Sequence, residues 1–158
     1  MTPDTFATRS LRPRDQLEAW QEWYQPVFNV VPTVPAGDGF AGETRLWNLG
    51  TVVVSRTTAP PARVTRTRSH LRRDPTDHWV LSFCMRGAHL TKMRIWRSKY
   101  PRVPFLWSLG QELSYERTHV DRVQYCLTRD AFRDIAPLPD AASGSTLDTF
   151  LDVCSATT

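Results

Sequence analysis

No stretch of this 158-residue sequence approaches the run of roughly 18–20 apolar residues that a membrane span requires. The opening residues, Met1-Thr2-Pro3-Asp4-Thr5, lack a basic segment followed by an apolar one, so no secretory signal is read. Cysteine is scarce. Cys84, Cys126 and Cys154 are odd in number and far apart, which argues against a disulfide framework and fits a reducing cytoplasm. The seven glycines form no phosphate-cradling loop, and no internal repeat is evident. What is present is core material: 41% hydrophobic residues and six tryptophans, enough for one packed domain or one domain with a short tail.

The net charge of +4 is unevenly spread. Residues 1–45 carry four basic and six acidic side chains, residues 46–104 twelve against two, and residues 105–158 four against eight. The central basic block can attract anions through its long-range field. Its arginines alternate with other residues along strand-like runs, which favours the solvated face of a sheet.

Pro13 can occupy a first helical turn, with Asp15 and Glu18 near the positive end of the dipole. Leu17, Trp20, Trp23 and Tyr24 then recur at helical spacing. Residues 30–42 hold two prolines and three glycines and read as a connector. From Glu43 the period changes to two. Residues 43–56 give two short strands meeting near Asn48-Leu49-Gly50, and residues 63–68 alternate β-branched with polar side chains. Residues 78–86 form the strongest strand, with Trp79, Leu81, Phe83 and Met85 on one face and Gly87 at its end. Residues 89–97 can pair back as a hairpin. Pro101 and Pro104 bracket a turn, and strands follow at 105–107, 112–117 and 122–127. In the last of these, Val123, Tyr125 and Leu127 alternate with Arg122, Gln124 and Cys126. Helical character returns at 130–135 and again beyond Ser143-Gly144-Ser145, where Leu147, Phe150, Leu151 and Cys154 share a stripe.

Chemistry-bearing clusters are few. His70, His78, His89 and His119 are separated by more than four residues, so no His-x-His pair places two rings on one strand face, and no Cys-x-x-Cys spacing exists. The reading is no metal and no cofactor. Ser108 lacks the Gly-x-Ser-x-Gly elbow, the strand cysteines read as small buried hydrophobes, and Asp74-Pro75-Thr76-Asp77 is turn chemistry. No catalytic residue is assigned. No basic recognition helix or RNA-stacking motif accompanies the arginines, so sequence-specific DNA binding by this chain and membrane association are not expected. Small-molecule binding remains. Trp79, Phe83, Trp107 and Tyr125, directed into a barrel, would fill it or line a pocket with polar edges.

The run from Arg66-Thr67-Arg68 through Arg72-Arg73-Asp74-Pro75-Thr76-Asp77-His78-Trp79, ending at Gly87, resembles the AraC-binding-like N-terminal domain of AraC/XylS transcription regulators. So do Phe105 to Gly110, Tyr115 to Thr118 with Asp121 to Gln124, Leu127 to Phe132, and Asp140 to Thr149. Thr128 departs from the family's usual proline, and Pro101-Arg102 from its Pro-Gly turn. The resemblance covers about Phe6 to Asp148. It implies an α+β, mainly β fold: an antiparallel cupin-like barrel or sandwich with flanking N-terminal and C-terminal helices. Segment 1–29 would be helical and packed on the barrel, 30–128 the barrel, and 129–158 the start of a truncated dimerisation region. The implied role is effector sensing and dimerisation for a regulator whose helix-turn-helix half lies outside this sequence. The effector would be a sugar or an aromatic acid, with Leu147, Phe150 and Leu151 available to a homodimer. The competing readings are a small cupin-type enzyme and a protein interaction module with no ligand.

Overall fold

The computed structural model describes residues 2–91, 95–97, 104–133 and 143–146. Its strands form two antiparallel sheets. The larger holds, in spatial order, β1 (Asp4–Ala7), β3 (Glu43–Asn48), β4 (Val52–Ala59), β11 (Val120–Leu127), β6 (Trp79–Arg86), β9 (Phe105–Ser108) and β12 (Ser145–Thr146). The smaller holds β2 (Asn29–Pro32), β5 (Ala62–Arg66), β10 (Leu113–Arg117), β7 (Ala88–Thr91) and β8 (Ile95–Arg97). Three helices accompany them: α1 (Pro13–Tyr24), α2 (Arg68–Arg73) and α3 (Arg129–Arg133). The core lies between the sheets: Val30, Val64 and Tyr115 of the smaller meet Ala59, Val80, Trp107 and Val120 of the larger. This is the expected mainly β, cupin-like architecture in its sandwich form.

The chain changes sheets at three tight corners. Pro60-Pro61 carries β4 into β5, Gly87 carries β6 into β7, and Thr118-His119 carries β10 into β11. The last two corners touch. A side chain at Gly87 would collide with the carbonyl of His119, and the residue has φ +90°, a conformation open to glycine. Thr118 Oγ1 accepts a hydrogen bond from the Ala88 amide at 2.9 Å.

Helix α1 starts where Pro13 predicts, with Asp15 in its first turn. Its apolar stripe drives Trp20 fully into the core, against Phe6, Tyr24 and Phe40 at ring separations of 6.0, 5.0 and 5.9 Å. Gly42 leaves room for that indole, because an added Cβ would sit 2.5 Å from the Trp20 ring. Trp23, expected on the same stripe, is instead 43% exposed and stacks on Phe6 at 4.5 Å.

The structure departs from the sequence reading at four places, one of them Ser145–Thr146, which pairs with β9 as a strand where a helix cap was expected. Residues 4–7 form a strand on β3 within a segment read as helical. Residues 29–32 form a strand on β5 at the head of the supposed connector. Both are edge strands of four residues, recruited by tertiary pairing, and an edge tolerates Pro32. Residues 68–73 are helical, because Thr67 and His70 close a capping box: the Thr67 amide donates to His70 Nδ1 at 3.1 Å, and its hydroxyl lies 2.9 Å from the same atom. The stripe at Leu147, Phe150 and Leu151 lies outside the described residues, as does the Pro101-Arg102 turn.

Three arginines of the basic block face solvent in ion pairs, Arg56 with Asp121, Arg63 with Glu116 and Arg68 with Glu112. Arg66 is the exception. Its guanidinium is fully enclosed and donates to the carbonyls of Leu109 (Nε, 2.7 Å), Val27 (Nη1, 2.9 Å) and Asp74 (Nη2, 2.8 Å). The Asp74 carboxylate lies 3.3 Å away. One side chain thus ties β5 to the segment after α1, the segment after α2 and the turn after β9. Removing one partner of a buried ionic network strands the others. Arg66→Met is therefore expected to lower the unfolding free energy by about 3–5 kcal/mol in urea titrations. Arg66→Lys should recover only part, because one ammonium lacks the planar fork that spans three carbonyls. Losses below about 1 kcal/mol in both variants would show that the clamp contributes little.

Candidate ligand cavity between the sheets

Side chains alternate along a strand, so the register fixes which residues face inward. On β11 the inward set is Val120, Arg122, Gln124 and Cys126. Across the ladder lie Val53, Ser55, Thr57 and Ala59 of β4 and Val80, Ser82 and Cys84 of β6. The opposite phase, Val123, Tyr125 and Leu127 with Leu81, Phe83 and Met85, is on the outer face. Along β11 and β6 the inward phase is thus the more polar of the two, the reverse of the sequence expectation.

A cavity of ≈ 360 Å³ opens against this inward face, a volume within the range of small-molecule sites. Its floor is β3, β4, β11 and β6. Its apolar wall comes from the end of α1 and the turn after it, with Trp23, Tyr24, Val27 and Phe28, and from Trp107 and Leu109. Phe28 links the rings, 6.4 Å from Tyr24 and 5.8 Å from Trp107. The polar floor holds a Thr44–Thr57 hydroxyl pair at 3.0 Å, Arg122 and Gln124. Arg122 is 4% exposed and Gln124 9%. Arg122 Nη1 donates to the Tyr115 hydroxyl of the opposite sheet at 2.7 Å. Arg122 Nε and Gln124 Nε2 are buried donors without a hydrogen-bond partner.

A second guanidinium, Arg117, is buried in the same interior, its Nε also unpartnered. Among the described residues, no carboxylate lies within ion-pair distance of Arg117 or Arg122. Burial, followed by repulsion from Arg122, pushes the Arg117 guanidinium down to about 10. Both side chains remain cationic at neutral pH.

The cavity holds no activated nucleophile. Burial pushes the Cys126 thiol up to about 11, so it stays protonated although His78 Nδ1 lies 3.7 Å from its sulfur. Burial, then the neighbouring Arg73 and Arg66, lowers the pKa of His70, and a neutral ring suits its role as acceptor for Thr67. Among the described residues, no three His, Cys, Asp or Glu side chains converge as metal ligands. A larger groove of ≈ 660 Å³ between α1 and α2 is lined by Glu18, Glu22 and Arg73, and none of the unpartnered buried atoms belongs to its lining.

Of the four aromatics read as pocket-lining, Trp107 borders the cavity. Phe83 and Tyr125 do not. They meet edge-to-face at 5.8 Å on the outer face, where Tyr125 is 39% exposed. Trp79 also belongs to the outer face, buried beneath Phe132 at 6.3 Å and the Arg129 guanidinium at 5.1 Å. The correction has one physical cause: both faces of β6 and β11 carry apolar side chains, the outer one covered by α3 at Trp79 and open at Met85 and Tyr125. Arg122, Gln124, Tyr115 and Tyr24 went unassigned, since alternation gives two faces without saying which is inside. A signal existed in the inward triplet Val80, Ser82 and Cys84, whose small side chains leave room that Trp79, Leu81 and Phe83 would have filled.

Two antiparallel sheets closed over one interior, with a helix leading in, place this chain in the cupin-like fold class. Among solved structures, the crystal structure of the AraC-like transcriptional activator CuxR matches with a TM-score of 0.78 over 92% of this chain, at 24% sequence identity. The chain spans about half of that protein, 54% of its length. No protein-family model matches the sequence, and no curated protein does. At this identity the likeness establishes the fold.

A buried cation without a counter-charge opposes folding. Arg117→Leu is therefore expected to leave the ligand-free protein as stable or make it about 1–4 kcal/mol more stable, in contrast to Arg66→Met. The sign follows from the depressed value: the folded state disfavours the Arg117 proton, so its penalty is full below about pH 10 and fades as pH rises above it. Urea titrations at pH 7 and pH 9 should give the variant the same advantage at both. A marked loss of stability in Arg117→Leu would mean that the guanidinium is fully satisfied in the fold.

Proposed function

We propose that this chain is the effector-sensing and dimerisation half of an AraC-type transcription regulator, with DNA reading assigned to a helix-turn-helix half outside these residues. The observation that carries the reading is the cavity: a fold shared with half of a transcriptional activator holds a cleft of ≈ 360 Å³ whose lining includes two residues with unpartnered buried donors. A module that served only as a scaffold would gain stability by filling that space. The enzyme reading has less support, since the cavity wall offers a protonated thiol and no acid–base pair. The described cysteines, Cys84 and Cys126, are free thiols, in keeping with a cytoplasmic regulator, and no helix among the described residues is long and apolar enough to cross a membrane.

The test is a melting screen against sugars and aromatic acids. A compound that binds only the native state at one hundred times its dissociation constant adds about 2.7 kcal/mol, raising the midpoint by roughly 5–10 °C for a domain of this size. Val53 lines the cavity, so Val53→Trp should abolish the shift while the fold persists. Absence of any shift, or a shift unchanged in Val53→Trp, would overturn the reading.

Self-association is proposed to run through the sequence stripe at Leu147, Phe150 and Leu151. Replacing Phe150 and Leu151 with serine should convert dimer to monomer in sedimentation velocity runs. Association unchanged by that substitution would assign the contact to another surface.

A further inference from the structure

We propose that the cavity takes an organic oxyanion, a carboxylate or phosphate group on a flat apolar body, with the charged group on Arg122 and Gln124. The inference rests on reading the cavity as an effector site and names the chemistry of its occupant. Arg122 and Gln124 stand two residues apart on one face of β11, so their side chains project side by side into the same space. A guanidinium carries five N–H donors and no acceptor. Tyr115 takes one through Nη1, while Nε and the neighbouring Gln124 Nε2 are buried and unpartnered. Two unpartnered donors on neighbouring residues that line one space match the two oxygens of a carboxylate, or two of a phosphate.

Charge sharpens the choice. Among the described residues no acidic side chain lines the cavity, and Arg117 adds a second buried cation to the interior. A neutral polyol would satisfy the donors and leave the charge uncompensated. A cationic ligand would be repelled. An anion supplies both acceptors and counter-charge to donors that are themselves buried, where such contacts are strong. The remainder of the wall, Trp23, Tyr24, Phe28, Trp107 and Leu46, has no complement in a bare inorganic ion and suits one or two fused rings.

The test uses matched pairs: benzoate and 2-naphthoate against benzamide and 2-naphthamide, with phenyl phosphate as a second acid. Calorimetric titration of the wild-type protein should show the acids binding about 10- to 100-fold more tightly than the amides, as expected for hydrogen bonds to a charged group. The tighter of carboxylate and phosphate identifies the head group. Arg122→Met should reduce the acid–amide difference to less than about threefold, and Arg122→Lys should retain part of it. Tyr115→Phe, which keeps the ring and removes the hydroxyl that orients Arg122, should weaken the acids selectively. Urea curves of each variant confirm that the comparison is made on folded protein. Amides that bind as tightly as acids, or an acid preference that survives in Arg122→Met, would overturn the oxyanion inference and leave an effector cavity for neutral ligands. Failure of every acid and amide to bind would overturn the oxyanion inference, and the effector reading falls with it only where the sugars of the melting screen give no shift either.

Discussion

A guanidinium enclosed between two β-sheets must find acceptors, and this sandwich meets that requirement twice in different ways. Arg66 is saturated: three carbonyls and a carboxylate from three separate segments close around it. Arg122 is held by a single phenol and keeps a buried donor unpartnered. The two side chains share chemistry and depth of burial, so the difference lies in what the fold delivers to each. Around Arg66 the chain converges, after α1, after α2 and after β9, and its carbonyls point inward. Around Arg122 the described lining residues are threonines, serines and aromatic rings, which supply little acceptor capacity and no negative charge. The first arrangement is a structural clamp. The second is a site with an open valence.

That contrast bears on how an interior of this kind persists. A fully packed interior at β11 would need large apolar residues at the positions of Ser55, Thr57, Ser82 and Gln124, as on the outer face at Leu81, Phe83 and Tyr125. The small polar residues instead hold the sheets apart over the space that α1 and Trp107 wall off. Buried polar groups left unpaired lower stability, and stability forgone at a site is commonly linked to binding. The aromatic wall provides the matching apolar contact, because Phe28 and Tyr24 come from the end of α1 and the turn after it, while Trp107 comes from β9.

Much of the fold was legible from period and punctuation. The helix opening at Pro13, the Asn48-Leu49-Gly50 turn and the long strands β4, β6 and β11 follow from local signals that tertiary structure reinforced. In the Asn48 turn the side-chain oxygen accepts from the Gly50 amide at 3.0 Å, with Gly50 at φ +86°, as an Asx turn requires. What escaped was set by contacts distant in sequence. β1 and β2 have too few residues to declare themselves and exist because β3 and β5 offer them ladders. The helix α2 was hidden because His70, acting as a cap partner, does not look like the usual acidic residue of a capping box. The site was half-legible: Trp107 borders it, while Phe83 and Tyr125 belong to the other face. The hydrophobic rule that apolar residues point inward has no force for a central strand covered on both sides. There, side-chain size rather than polarity distinguishes the face that encloses space.

The geometry also limits how an occupant could act as a signal. A ligand shifts a conformational equilibrium only through contacts that differ between the two states. Arg122 sits on the large sheet, its Tyr115 partner on the small one, and the two strands meet at the Thr118-His119 corner, which packs against Gly87 where β6 crosses over. Trp23, Tyr24 and Phe28 add the end of α1 to the same enclosure. An occupant of this cavity therefore touches the large sheet and the end of the N-terminal helix at once, and its head group adds acceptors beside a bond, Arg122 to Tyr115, that reaches the small sheet. A surface groove such as that between α1 and α2 has no comparable reach into the sandwich. The coupling available to this fold runs through the spacing of its two sheets and the seating of α1, and Arg122 is the side chain at which ligand charge and sheet spacing meet.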